Sequence, residues 1–112
     1  MTVDKSLLAG STTMLVLKLL DGQDMYGYQM IEELSRRSER AFALKTGTLY
    51  PLLHSLEEKE LIRSYEKDEG PRRYYHLERK GQHLLREKEV EWATFTTAVD
   101  RVLKGGVCLG SA

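Results

Sequence analysis

Ile62-Arg63-Ser64-Tyr65-Glu66-Lys67-Asp68-Glu69-Gly70-Pro71-Arg72-Arg73-Tyr74-Tyr75-His76-Leu77 is the stretch on which the fold turns. Two runs of strand-forming residues flank a Gly-Pro turn loaded with charge, which reads as a β-hairpin. Just upstream, Thr46-Gly47-Thr48-Leu49-Tyr50-Pro51-Leu52-Leu53-His54-Ser55-Leu56 places Leu49, Leu52, Leu53 and Leu56 at i, i+3, i+4 and i+7. One face of a helix is therefore apolar. A helix that runs directly into a basic-tipped hairpin has the arrangement of a winged helix. In that fold the helix can enter a major groove while the wing lies on phosphates.

Working outward, composition sets the bounds. The chain has 112 residues, which fits one domain. It is 41% hydrophobic and 30% charged, as expected of a globular protein rather than a disordered one. The formal net charge of +0 argues against an indiscriminate nucleic-acid coat but not against sequence-specific binding, where the distribution of charge matters more than its sum. Lys67, Arg72, Arg73, Arg79 and Lys80 gather around the hairpin, and Asp68 and Glu69 share its turn. Cys108 is the only cysteine, which excludes an internal disulfide framework and a cysteine zinc site. Nothing reads as a signal peptide, and Lys18 interrupts the short apolar run Met14 to Leu20. The expectation is a cytoplasmic protein with no membrane partner.

The flanking elements follow from periodicity. A first helix is predicted from Ser6 to about Leu20, apolar nearly all round in its second half and so buried. Gly10 within it reads either as a close approach of another helix or as a frayed first turn. Gly22 ends that helix. Asp24 is placed as the N-cap of a second helix from about Met25 to Ser38. Tyr26, Met30, Ile31 and Leu34 face inward there, and Tyr28, Gln29, Glu32, Glu33, Arg36 and Arg37 face outward. Phe42 and Leu44 tuck into the core. Thr46 or Thr48 caps the third helix, with Pro51 in or near its first turn. A last helix is predicted from about Arg79 to Lys104. Leu85, Lys88, Trp92, Phe95, Val99 and Val102 recur along it at alternating steps of three and four, a heptad seam with one polar entry. Its own small domain cannot bury such a helix, so it is expected to pack on its copy in a second subunit.

The fold class predicted is mainly α with a small β-hairpin. It divides into a winged helix-turn-helix over residues 1–78, a C-terminal dimerisation helix over 79–104 and a tail over 105–112.

Several segments together resemble the PadR-like transcriptional regulators, and within them the short subfamily with a single C-terminal helix. They are Tyr26-Gly27-Tyr28-Gln29-Met30-Ile31, Gly47-Thr48-Leu49-Tyr50-Pro51-Leu52-Leu53, Leu56-Glu57-Glu58-Lys59-Glu60-Leu61-Ile62 and Arg72-Arg73-Tyr74-Tyr75-His76-Leu77. The resemblance runs from about Leu7 to Leu103. Two positions depart from the family pattern: Glu60 stands where glycine is usual, and Glu78 where threonine usually caps the last helix. The resemblance implies a dimeric repressor whose two winged helices read the half-sites of a roughly palindromic operator in double-stranded DNA.

Residue chemistry then assigns roles. Thr48, Pro51, His54 and Ser55 face base edges. Tyr50, Tyr28 and Gln29 donate to phosphates. Lys67, Arg72 and Arg73 supply the salt-dependent charge. The alternative for Tyr50 is an aromatic packed on the second helix, and for His54 an exposed helix residue. Trp92 and Phe95 read as part of the dimer seam with Leu85, Val99 and Val102. By resemblance to ligand-responsive members, they also read as a site where paired indoles sandwich a planar aromatic effector. No phosphate loop, nucleophile motif or metal-ligand spacing is present, so neither an enzyme nor a cofactor is expected. The competing reading is a winged-helix module for protein–protein contact without DNA.

Overall fold

The computed structural model describes residues 5–67 and 70–105. Asp68 and Glu69 in the wing turn, Cys108 and the rest of the predicted tail beyond Gly105 lie outside them. The elements are α1 Lys5–Ala9, α2 Thr12–Leu20, β1 Met25–Tyr26, α3 Gly27–Arg37, α4 Thr46–Glu58, β2 Ile62–Glu66, β3 Arg73–Leu77 and α5 Arg79–Leu103. The core is contiguous. Val16, Leu17 and Leu20 of α2, Met30 and Leu34 of α3, and Leu49, Leu53 and Leu56 of α4 pack with Ile62, Tyr75, Leu77 and Leu85. Phe42 is half-buried against this core and Leu44 lies within it.

The first helix is not continuous. The chain turns at Gly10 and Ser11, where Thr12 Oγ1 and the Ser11 N–H both donate to the Leu8 carbonyl at 2.9 Å. A Cβ on Gly10 would meet nothing within 4 Å, so no neighbouring helix requires the glycine. Its low helix propensity breaks the helix locally.

The second helix starts two residues later than predicted, and Asp24 is not its cap. Met25 and Tyr26 form a short strand paired with Tyr75 and Tyr74. The predicted hairpin is thereby widened into a three-stranded antiparallel sheet of order β1-β3-β2. The N–H of Tyr26 instead donates to Gln29 Oε1 at 3.2 Å, half of a capping box.

The link from α3 to α4 holds Glu39 and Arg40 in the left-handed region, at φ 52° and 69°. The Arg40 N–H donates to the Ser35 carbonyl at 2.7 Å, and Ser38 Oγ accepts from the Phe42 N–H at 3.1 Å. This turn delivers Leu44 into the core.

At the start of α4, the cap is Lys45 rather than a threonine; its carbonyl accepts from the N–H groups of Thr48 and Leu49. Pro51 stands in the second turn. Its missing N–H leaves the Gly47 carbonyl without its usual partner four residues on. The helix ends in a Schellman motif: the Leu61 N–H donates to the Leu56 carbonyl and the Glu60 N–H to that of Glu57. Glu60 supplies the left-handed residue this motif requires, at φ 63°, in the position where the family pattern has glycine.

The long helix α5 begins under the sheet. Gly81 lies so close to the residue that precedes β2 that a Cβ there would sit 2.2 Å from the Leu61 carbonyl oxygen. Glu78 precedes the helix without capping it through its side chain. Its carboxylate pairs with Arg63 Nε at 2.8 Å instead. Lys18 on α2 reaches Glu89 at 3.3 Å, and beyond that point α5 leaves the domain. The radius of gyration is accordingly 16.8 Å, against about 13 Å for a compact chain of this size.

Candidate nucleic-acid interface

Burial of its leucine face orients α4. Leu49, Leu53 and Leu56 are inside, so Thr48, Tyr50, Pro51 and His54 are exposed and Ser55 is half-buried. Tyr50 lies across the first turn of α3: a Cβ on Gly27 would come within 2.2 Å of its hydroxyl. The ring thus packs on α3, as the second reading of Tyr50 has it, and remains 40% exposed. Tyr28 is exposed on α3, and the Gln29 carbonyl is occupied by the Tyr26 N–H. His54 Nε2 lies 3.7 Å from Glu58 Oε2, one turn on.

Not every cation nearby is available. Glu33 accepts from Arg36 Nη2 at 2.6 Å and Arg37 Nε at 2.7 Å, and these bonds hold its carboxyl at about 2. Two arginines of α3 are thereby engaged with their own helix.

Strand alternation divides the wing into two faces. Ile62, Ser64, Tyr75 and Leu77 point toward the helices, with Arg73 opposite Glu66 at the edge of that face. Tyr65, Tyr74 and Tyr26 lie on the other. Tyr65 and Tyr74 stack with centroids 5.9 Å apart, and Tyr26 meets Tyr74 edge-on at 5.4 Å. Lys67 Nζ sits 4.3 Å from the Tyr74 centroid and the Arg72 guanidinium 4.6 Å from that of Tyr26. Rings hold these two cations by attraction to their faces.

Asp24 anchors the same face. Its carboxylate accepts from the Tyr65 hydroxyl at 2.6 Å and faces His76 Nδ1 at 2.8 Å. Burial opposes its ionisation, but the bonds from Tyr65 and His76, with the charges of His76 and Arg63, outweigh it and hold the carboxyl below its ordinary value. The bond to Asp24 in turn pushes the Tyr65 hydroxyl up. These roles of Asp24, Tyr26, Tyr65, Tyr74 and His76 were not predicted. The period-two alternation in β2 and β3 pairs Tyr65 with Tyr74, but nothing local points to partners at residues 24 and 26.

The predicted seam on α5 is divided. Leu85 is 1% exposed and belongs to the core of its own domain, so it is not free for a second subunit; the first turns of α5 pack against α2 and, at Gly81, against Leu61. Trp92, Phe95 and Val102 are exposed, and Val99 is half-buried. The Trp92 and Phe95 rings lie 5.9 Å apart. They form one wall of a cleft of about 1080 Å³ whose other wall includes Leu7, Met14, Leu15 and Phe42. That second wall was not foreseen, because its residues read as ordinary core positions.

Among the described residues no group of His, Cys, Asp or Glu could hold a metal ion, and no helix is long and apolar enough to cross a membrane.

A helix-turn-helix of α3 and α4 closed by a wing defines a winged-helix protein with a recognition helix. The chain belongs to the PadR-like family of transcriptional regulators, whose family model matches residues 16–87. Uncharacterized protein X of Lysinibacillus sphaericus is 33% identical over 106 residues, covering 92% of this chain and 97% of that protein. A transcriptional regulator from Clostridium thermocellum superposes with a TM-score of 0.84 at 25% identity, covering 89% of this chain and 97% of that one. A PadR family transcriptional regulator from Eggerthella lenta gives 0.80 at 33% identity, with 88% and 87% covered. The family consists of DNA-binding transcriptional regulators, not enzymes.

Proposed function

We propose that this regulator is a cytoplasmic homodimeric repressor that reads a palindromic operator and is released by a planar aromatic effector. Residues 1–78 are the DNA-reading unit, 79–104 the dimerisation helix and 105–112 a tail. Thr48, Pro51, His54 and Ser55 read base edges. Tyr50, Tyr28 and the amide NH2 of Gln29 contact phosphates. Lys67, Arg72 and Arg73 carry the wing's charge. The observation that carries this reading is the division of α4, whose leucines are inside while its small, polar and planar residues are exposed beside a cationic wing.

The second half of α5 supports dimerisation. Val90, Trp92, Phe95, Val102 and Leu103 are all exposed large hydrophobics on one helix. A patch of this kind marks a contact surface. The effector reading is supported by the cleft beside Trp92 and Phe95, which is apolar apart from Ser11, Lys88, Glu91 and Thr94. The chain has one tryptophan, so its fluorescence reports on that site alone. Titration with planar aromatic cations and phenolic acids should quench it and weaken DNA binding; an unchanged signal and unchanged affinity across the panel would exclude the effector role.

The central test is a gel-shift titration on the DNA upstream of the chain's own gene, with Arg72→Ala/Arg73→Ala alongside. Tight binding that falls by at least tenfold between low and physiological salt, and that the double variant loses, is the expected result. Absence of binding at low salt would instead favour a protein–protein adaptor.

A further inference from the structure

The three wing cations are not equivalent. Lys67 and Arg72 lie over Tyr74 and Tyr26 on the sheet's outer face. Arg73 has a different partner: its Nη1 donates to Ser64 Oγ at 3.0 Å. The Ser64 hydroxyl donates in turn to Glu57 Oε2 at 2.5 Å, and the Ser64 N–H donates to the same oxygen at 3.3 Å. A hydroxyl has one donor and two acceptor sites, so Ser64 can serve both neighbours at once. The chain Arg73 to Ser64 to Glu57 has a single direction, from the wing's second strand through its first to the recognition helix.

Glu57 occupies a telling place on α4. Tyr50, His54 and Glu57 recur at i, i+4 and i+7, so they form one stripe along the helix. Tyr50 and His54 are its exposed upper members, and Glu57 is its half-buried end. The Glu57 carboxylate is engaged by two donors from Ser64, with the Arg73 guanidinium one bond further out.

We infer that Ser64 is a positioning residue for DNA binding: it fixes the Arg73 guanidinium beside the recognition helix, so that Arg73 acts with α4 rather than with the outer wing cations. The inference rests on the DNA-binding reading of α4 and the wing. Ser64 itself touches no DNA; it acts through Arg73.

The test compares wild type, Ser64→Ala, Ser64→Thr, Arg73→Ala, Lys67→Ala, and the double variants Ser64→Ala/Arg73→Ala and Ser64→Ala/Lys67→Ala. Each is titrated with a mixed-sequence duplex from low to physiological salt, and its thermal midpoint is recorded. Arg73→Ala should weaken binding roughly tenfold at low salt, the size of one lost charged hydrogen bond. It should also lower the slope of log affinity against log salt by about one. Ser64→Ala should reproduce most of both effects with its thermal midpoint nearly unchanged, and Ser64→Thr, which keeps the hydroxyl, should restore them. Ser64→Ala/Arg73→Ala should be no weaker than Arg73→Ala alone, whereas Ser64→Ala and Lys67→Ala should add. Wild-type affinity and slope in Ser64→Ala, or additivity with Arg73→Ala, would overturn the positioning role while leaving DNA binding intact. A wild type that binds no duplex at low salt would overturn both, and that arm alone tells the two failures apart.

Discussion

Tyr50 lies across Gly27, its hydroxyl within 2.2 Å of the place where a side chain at residue 27 would begin. The contact couples the recognition helix to the first turn of the preceding one through a single ring, and only a glycine permits it. Gly27→Ala should therefore push the ring off α3. The ring can swing aside, and alanine is the better helix former, so stability should change by less than about 1 kcal/mol. DNA affinity should fall roughly tenfold with loss of the Tyr50 contact. Thermal melts beside a gel-shift titration check both halves; unchanged affinity would remove Tyr50 from the interface.

Gly81 offers the opposite case. There the obstructing atom is the backbone carbonyl of Leu61, which cannot rotate away. Gly81→Ala should separate α5 from the sheet and cost about 2–3 kcal/mol, the range for forcing extra atoms into a packed site. Urea denaturation measures this directly, and a midpoint equal to wild type would contradict the close approach.

Glu60 holds a left-handed backbone without the freedom of glycine. That conformation costs a non-glycine residue about 1–2 kcal/mol. Part of this is offset because glycine loses more backbone entropy on folding. Glu60→Gly should raise stability by about 0.5–1 kcal/mol, read as a higher urea midpoint with unchanged slope. A lower midpoint would mean that the glutamate side chain stabilises the turn in a way its exposure does not suggest.

Asp24 gives a dependence on pH. Its folded-state carboxyl lies below the ordinary value of 3.8. Its contribution is thus fully present above that value and is lost as the pH falls through the depressed folded one. Asp24→Asn should lower stability at neutral pH by about 1 kcal/mol, after allowance for solvent screening at a partly exposed site. It should also flatten the acid limb of the stability curve below pH 4. Denaturation series at several pH values separate the two effects; an acid limb identical to wild type would show that other carboxylates set it.

Val102 is 81% exposed near the end of α5. If that helix pairs with its copy, Val102→Asp should convert a dimer to a monomer in sedimentation while the winged helix stays folded. Loss of two-headed engagement should then weaken operator binding about a hundredfold or more. A monomeric wild type would exclude the pairing.

Much of this was legible because it is written locally. The leucines of α4, the left-handed Gly22 after α2, the two wing strands and the span of α5 each follow from spacing within a few residues. What escaped depends on distant parts of the chain. Two residues, Met25 and Tyr26, make a strand only because Tyr74 and Tyr75 come to lie beside them. Asp24 looks like a helix cap until Tyr65 and His76 claim its carboxylate. The heptad seam on α5 reads as one surface, yet Leu85 is taken by its own core, and Trp92, Phe95 and Val102 are the seam hydrophobics left exposed. For the residues proposed to face DNA, the exposed positions of α4 follow from helical phase, whereas the pairing of Arg73 with Ser64 needs the register of the sheet.

The middle strand of the sheet is also the last of the three to leave the ribosome. Residues 25 and 26 must wait for residues 74 and 75, so this pairing closes a loop of nearly half the chain, and such non-local contacts form late. A nascent chain that ends before Tyr74 can hold α2, α3 and α4, but it has neither the strand that anchors them nor the wing. The complete three-stranded sheet, and the wing with it, can therefore form only once residues 73–77 have been made, about two-thirds of the way along the 112 residues.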